Sequence, residues 1–158
     1  MEIGKKLKRE FIMGHVISRR RLTPSSVVQL TPPVLLCSGW HTYEKAILDA
    51  GYQVISLNLP LAKLMVGKDE MAISLLLTPT VIQLLPNRSP VYLDDYEILF
   101  NPAYKLDIIR LFLEISRYNK LIVKWRHGFD GEILTYAEPG YEDYTVYRLR
   151  DYEITCVN

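Results

Sequence analysis

Residues Val34-Leu35-Leu36-Cys37-Ser38-Gly39-Trp40-His41-Thr42-Tyr43-Glu44-Lys45-Ala46 decide how this chain is read. Four apolar residues run into Gly39, and Lys45 follows six residues later at the expected start of a helix. That is the spacing of a phosphate-binding loop. In such a loop a glycine turn exposes backbone N–H groups, a helix N-terminus adds positive potential, and a lysine reaches the terminal phosphates. Two parts of the motif are replaced. Glu44 stands where the second glycine belongs, and Ala46 stands where a Ser or Thr hydroxyl would hold Mg²⁺. The binding stretch expected on this spacing is Gly39, Trp40, His41, Thr42, Tyr43, Glu44, Lys45 and Ala46, and its ligands are ATP and Mg²⁺. Glu44 would repel bound phosphates, and a non-glycine residue there restricts the geometry that aims the amides. Trp40 and Tyr43 either stack on a base or fill the mouth of the pocket.

Outward from this stretch, strands and helices alternate. The pattern predicts a helix over about 43–50 ending at Gly51, a strand over 52–58, and two or three short helices over 60–86, interrupted by Gly67 and Pro79. A short strand Val91-Tyr92-Leu93 follows, then a helix over 104–118, a strand Leu121-Ile122-Val123, and late strands within 132–157 around the turn at Pro139-Gly140. Alternation of this kind builds a parallel sheet with right-handed crossovers. The expected architecture is a three-layer α/β domain of the P-loop NTPase type over 31–158, with a mainly parallel sheet. A basic, helical N-terminal extension is expected over 1–30, from Leu7 and Phe11 on one face and lysines on the other.

A second constellation reinforces the first. Val91-Tyr92-Leu93 ends in Asp94 and Asp95, the arrangement in which a strand-end carboxylate holds Mg²⁺ through water and the next acid polarises the attacking water. Asp94 is the metal candidate and Asp95 the candidate catalytic base. Beyond the strand at 121–123, Lys124, Arg126 or His127 is placed to sense a γ-phosphate, and Arg117 is placed to meet the negative end of its own helix or a neighbouring subunit. The bland alternatives are a capping acid at Asp94 and a solvated strand end at 124–127. His15, His41 and His127 have no readable partners, so no Ser-His-Asp or Cys-His chemistry is indicated.

With 49% apolar and 23% charged residues the chain has a globular rather than a disordered composition. A net charge of +1 gives no global attraction to nucleic acid or membrane. The distribution is uneven, however: residues 1–30 carry a net +5 and residues 130–153 a net −5. The basic segment is a docking surface for an acidic partner, a contact for the acidic tail of another copy in a homo-oligomer, or a grip on DNA. The apolar run Phe11–Ile17 is too short for a secretion signal, and no stretch is long enough to span a bilayer. With only Cys37 and Cys156, neither in a paired motif, the expectation is a cytoplasmic chain without disulfides or metal clusters.

The stretch Leu93-Asp94-Asp95-Tyr96-Glu97-Ile98-Leu99-Phe100-Asn101-Pro102, continued by Lys105-Leu106-Asp107, Leu111, Ser116-Arg117, Lys124-Trp125 and Thr135-Tyr136-Ala137-Glu138-Pro139-Gly140, resembles the BrxF family. These are small P-loop proteins of type 3 bacteriophage exclusion (BREX) defence systems. The likeness covers about residues 30–155. It implies a cytoplasmic bacterial protein acting against phage beside other BREX defence proteins: a large ATPase, a methyltransferase, a helicase and a PglZ-type protein. Of the family's phosphate loop only Gly39 and Lys45 carry over. Three functions follow as expectations. The first is a nucleotide switch with weak or absent hydrolysis. The second is a pure interaction subunit in which Trp40, His41 and Tyr43 plug the site. The third is a DNA-binding accessory acting through the basic segment.

Overall fold

The computed structural model describes residues 13–158. Six strands form the main sheet: β1 (His15–Ile17), β2 (Val34–Leu36), β3 (Gln53–Ser56), β4 (Val91–Asp95), β5 (Leu121–Lys124) and β9 (Thr155–Val157). Their order is β1-β9-β2-β5-β4-β3, and every neighbouring pair is parallel. A second, antiparallel sheet joins β6 (Gly128–Phe129), β7 (Ile133–Tyr136) and β8 (Thr145–Arg148). The helices are α1 (Trp40–Asp49), α2 (Asn58–Met65), α3 (Glu70–Leu84) and α4 (Ile108–Ile115).

The central strands read as unbroken apolar runs because both faces of a parallel sheet are covered. Alternate residues then serve opposite layers. Val34, Leu36, Tyr92, Ile122 and Val157 pack with Tyr43 and Ile47 of α1 and with Val27 of the 3₁₀ turn Pro24–Gln29. Leu35, Leu93, Val123 and Cys156 pack on the other side with Leu61, Leu77, Val81, Ile109 and Phe112 from α2, α3 and α4. Both cysteines are free thiols.

Two expectations about boundaries are corrected. The helix expected over 104–118 is broken: a 3₁₀ turn Pro102–Tyr104 ends at Lys105, whose φ of 49° is left-handed. The Asp107 carboxylate then caps α4 by accepting from the N–H groups of Ile109 and Arg110. The helical extension is also revised where it can be followed. Residues 1–12 lie outside the described part, but His15–Ile17 form an edge strand on β9, with the His15 N–H donating to Ile154 (3.1 Å) and the Asn158 N–H to Ile17 (3.1 Å). Gly14 permits this: a Cβ there would fall 2.2 Å from the Leu149 carbonyl oxygen. Residues 13–30 are therefore built into the domain.

Candidate functional site

Because the six strands of the main sheet are parallel, their carboxyl ends share one edge, the edge at which open α/β sheets bind ligands. Arg19 follows β1 there, Asn158 follows β9, Ser38 and Gly39 follow β2, Lys124 and Arg126 mark the end of β5, Asp94 and Asp95 end β4, and Asn58 follows β3. β5 lies between β2 and β4, so the two motif strands share a sheet with one strand interposed.

The phosphate cradle expected from 40 to 45 is not formed. α1 starts at Trp40, directly after Gly39, which turns the chain at φ 63° and ψ 32°. The Thr42 N–H already donates to the Gly39 carbonyl (3.1 Å), and residues 43–45 lie inside the helix, where their amides bond within it. Lys45 stands roughly 200° around α1 from Tyr43 and is exposed, on the side away from the sheet. Thr42, His41 and Lys45 are all exposed, and Ala46 is partly covered. The Trp40 indole N–H is tied to the Leu36 carbonyl (2.7 Å), and the Ser38 hydroxyl donates to Asn158 Oδ1 (2.9 Å). The Arg19 guanidinium lies over Gly39, where a Cβ would meet its Nη1 at 2.1 Å.

The ammonium at this edge comes from β5. Lys124 lies two residues after Ile122, on the α1 face of the sheet, and its Nζ is 3.0 Å from Glu44 Oε1. The same oxygen accepts from the Tyr92 hydroxyl (3.3 Å), and Nζ lies 5.4 Å from the centre of the Trp40 ring. Burial raises the Tyr92 pKa, and the Glu44 charge raises it further. Glu44 thus bonds to Lys124 and Tyr92 in the direction where the motif would place phosphates.

Asp94 and Asp95 belong to a second network. The Arg126 guanidinium donates to the Asp94 carboxylate, to the Asp94 carbonyl (2.8 Å) and to Glu97 Oε1 (3.3 Å). Asn58 Nδ2 donates to Asp95 Oδ1 (2.5 Å) and Glu97 Oε2 (3.0 Å), while its Oδ1 accepts from the Ile98 N–H (2.9 Å). Burial and the neighbouring Glu97 raise the Asp95 pKa. Burial alone would raise Glu97 too, but donors from Asn58, the backbone, Asp95 and Arg126 hold it down to about 2. The two carboxyls are therefore pushed in opposite directions, Asp95 upward and Glu97 downward. This donor set does not fit Mg²⁺: Asp94 is matched by a guanidinium, Asp95 accepts from the Asn58 amide, and among the described residues no group of three or more His, Cys, Asp or Glu is arranged for a metal. Nor does it fit ATP phosphates, which would meet Glu44, Asp94 and Glu97.

His127 belongs to neither network. Its ring is enclosed by Tyr96, Phe100, Trp125 and Tyr136 at 4.9–5.8 Å between centres, and its Nε2 has no hydrogen-bond partner. Burial lowers its pKa to about 4, so it is neutral at pH 7 and brings no positive charge to the edge. Phe100 and Tyr136 stack at 3.6 Å with planes 2° apart. Sequence reasoning missed Asn58, Glu97 and Arg19; the only signal for Asn58 was a polar residue ending an apolar strand. Compared with protein-family models, curated proteins and solved structures, the chain matches none.

Proposed function

We propose that this chain is a non-hydrolysing structural subunit of a BREX-type anti-phage assembly in the cytoplasm. In this reading it is built on the strand order of a P-loop NTPase, with the nucleotide site closed by the chain's own side chains. The observation that carries the proposal is the Glu44–Lys124 pair at 3.0 Å. A carboxylate fills the second-glycine position, and its partner cation comes from the strand that would sense a γ-phosphate. Two features support the interaction role. The likeness of the Glu97–Phe100 and Tyr136–Gly140 segments points to partners among the other BREX components. Leu59, Leu64, Val66, Met71, Leu75 and Leu76 expose large apolar side chains in and around α2 and α3, more than a chain without partners needs there.

Calorimetry with ATP and Mg²⁺ tests the closure. The expected result is no saturable heat for the natural chain or for Lys45→Ala. A saturable heat that Lys45→Ala abolishes would replace this reading with the nucleotide switch. Co-expression with the large ATPase, methyltransferase, helicase and PglZ-type protein tests the assembly: co-elution with at least one of them is expected, and separate elution from all four rejects the role.

A further inference from the structure

Two cavities lie along the open edge of β1 and share Val16. One, of about 490 Å³, is lined by His15, Glu132, Ile133, Arg148 and Arg150 among others. The other, of about 460 Å³, is lined by Ile17, Ser18, Arg20, Arg21 and Asn158. Four arginines from two distant parts of the chain therefore line two neighbouring cavities, two in each, that together form a groove along β1. Arg148 and Arg150 flank buried Leu149 at the end of β8, so both side chains are sent outward together. Arg20 and Arg21 sit in a 3₁₀ turn, Arg19–Arg21, whose start is capped by Ser18. Among the described residues none of these four arginines has a carboxylate within ion-pair distance, whereas Arg110, Arg117 and Arg126 each do. Glu132 is the one acidic residue in the lining of either cavity.

We propose that this groove binds single-stranded nucleic acid through its phosphodiester backbone, independently of the closed site at Glu44. Guanidinium groups are the side chains best matched to phosphate oxygens, because their forked donors meet two oxygens at once. Grouping like charges without anions is unfavourable, and a polyanion relieves it. The concave lining favours a single strand: among the described residues it is built from strand ends, turns and three-residue 3₁₀ turns, and no α-helix contributes to it as a duplex reader would. Two cavities meeting at Val16 offer room for successive nucleotides and two pairs of arginines for successive phosphates.

Fluorescence anisotropy of the full chain with a labelled oligothymidylate of about twelve nucleotides tests this. With four phosphates neutralised, log affinity falls against log salt with a slope of roughly −3, since each contact to a single strand contributes about 0.7. The double variants R20A/R21A and R148A/R150A each flatten that slope by roughly 1.4, and the control R110A leaves it unchanged. Unaltered far-UV circular dichroism and melting temperature establish that these exposed substitutions leave the fold intact. Four results would overturn the proposal: no salt-dependent binding, binding undiminished in the fourfold variant, a blunt duplex bound more tightly than the single strand, or polyglutamate competing as well as the oligonucleotide. Binding abolished by K5A/K6A/K8A but unaffected in both groove variants would overturn it too, by moving the site into residues 1–12.

Discussion

The carboxyl edge of the main sheet has a β4 half and a β1 half, and they treat charge differently. At the β4 half Lys124 faces Glu44 and Arg126 faces Asp94 and Glu97, while Asn58 bridges the remaining carboxylates. At the β1 half Arg20 and Arg21 line an open cavity, and Arg148 and Arg150 line a second one further back along β1, near its start, all without ion-pair partners among the described residues. A site whose charges are satisfied internally resists a charged ligand, because every new contact must first break an old one. A site whose charges are unsatisfied gains from one. The residue types that sequence spacing assigns to nucleotide chemistry thus occupy the half least suited to it.

The floor of the β4 half is the first place to test the contrast. His127 has a pKa of about 4 in the fold against a usual 6.5, so the unfolded chain binds more protons between those values. Its contribution is fully present above pH 6.5 and is lost as the pH falls to about 4. The effect is bounded by about 3 kcal/mol and reduced by the ring's remaining solvent contact. Urea unfolding at pH 7 and pH 4.5 should show this loss in the natural chain and a flatter response in His127→Phe. Equal slopes in the two proteins would mean that the aromatic enclosure does not hold the imidazole neutral. Glu97, held at about 2 against a usual 4.5, acts in a separate and lower window, stabilising above pH 4.5 and losing that effect toward pH 2.

Next in size is Arg126→Ala, which leaves Asp94 and Glu97 without their cation and should cost about 2 kcal/mol. Adding Asp94→Asn should recover part of that loss, because it removes one of the charges left unpaired. Additive losses in the double-mutant cycle would show that the two side chains are independent and the network is not closed. Glu44→Gln comes after it, at about 1 kcal/mol, by removing the charge opposite Lys124, whose side chain keeps only 14% of its exposure. Thermal unfolding unchanged by Glu44→Gln would remove the main argument that the site is occupied from within.

The sheet was legible because its strands are short apolar runs: Val34–Leu36, Val91–Leu93 and Leu121–Val123 could be recognised without knowing their neighbours. β1 was not, since three residues, two of them exposed, give no pattern, and its reason for existing is the edge of β9. The pairing of side chains at the site was hidden for a different cause. Counting from Gly39 to Lys45 measures residues, while a phosphate loop depends on backbone conformation, and here α1 starts at Trp40. The Glu44–Lys124 contact joins residues far apart in sequence, as does the cavity in which Arg148 and Arg150 meet His15 and Val16. Neither leaves a local signature.

The smallest effect is the most discriminating. Lys45 carries the motif in the sequence, yet it is exposed on the side of α1 away from Tyr43 and Ile47 and makes no ion pair with the described residues. Replacement by alanine should therefore change stability by less than about 0.5 kcal/mol, with alanine's helix propensity offsetting any lost solvation. Lys124→Ala, which leaves Glu44 without its cation, should cost more in the same thermal melts. If Lys45→Ala proves the more damaging, the roles of the two lysines are exchanged: α1 must unwind at its first turn, residues 40–45 must form a loop after all, and the β4 half of the edge would be the open one.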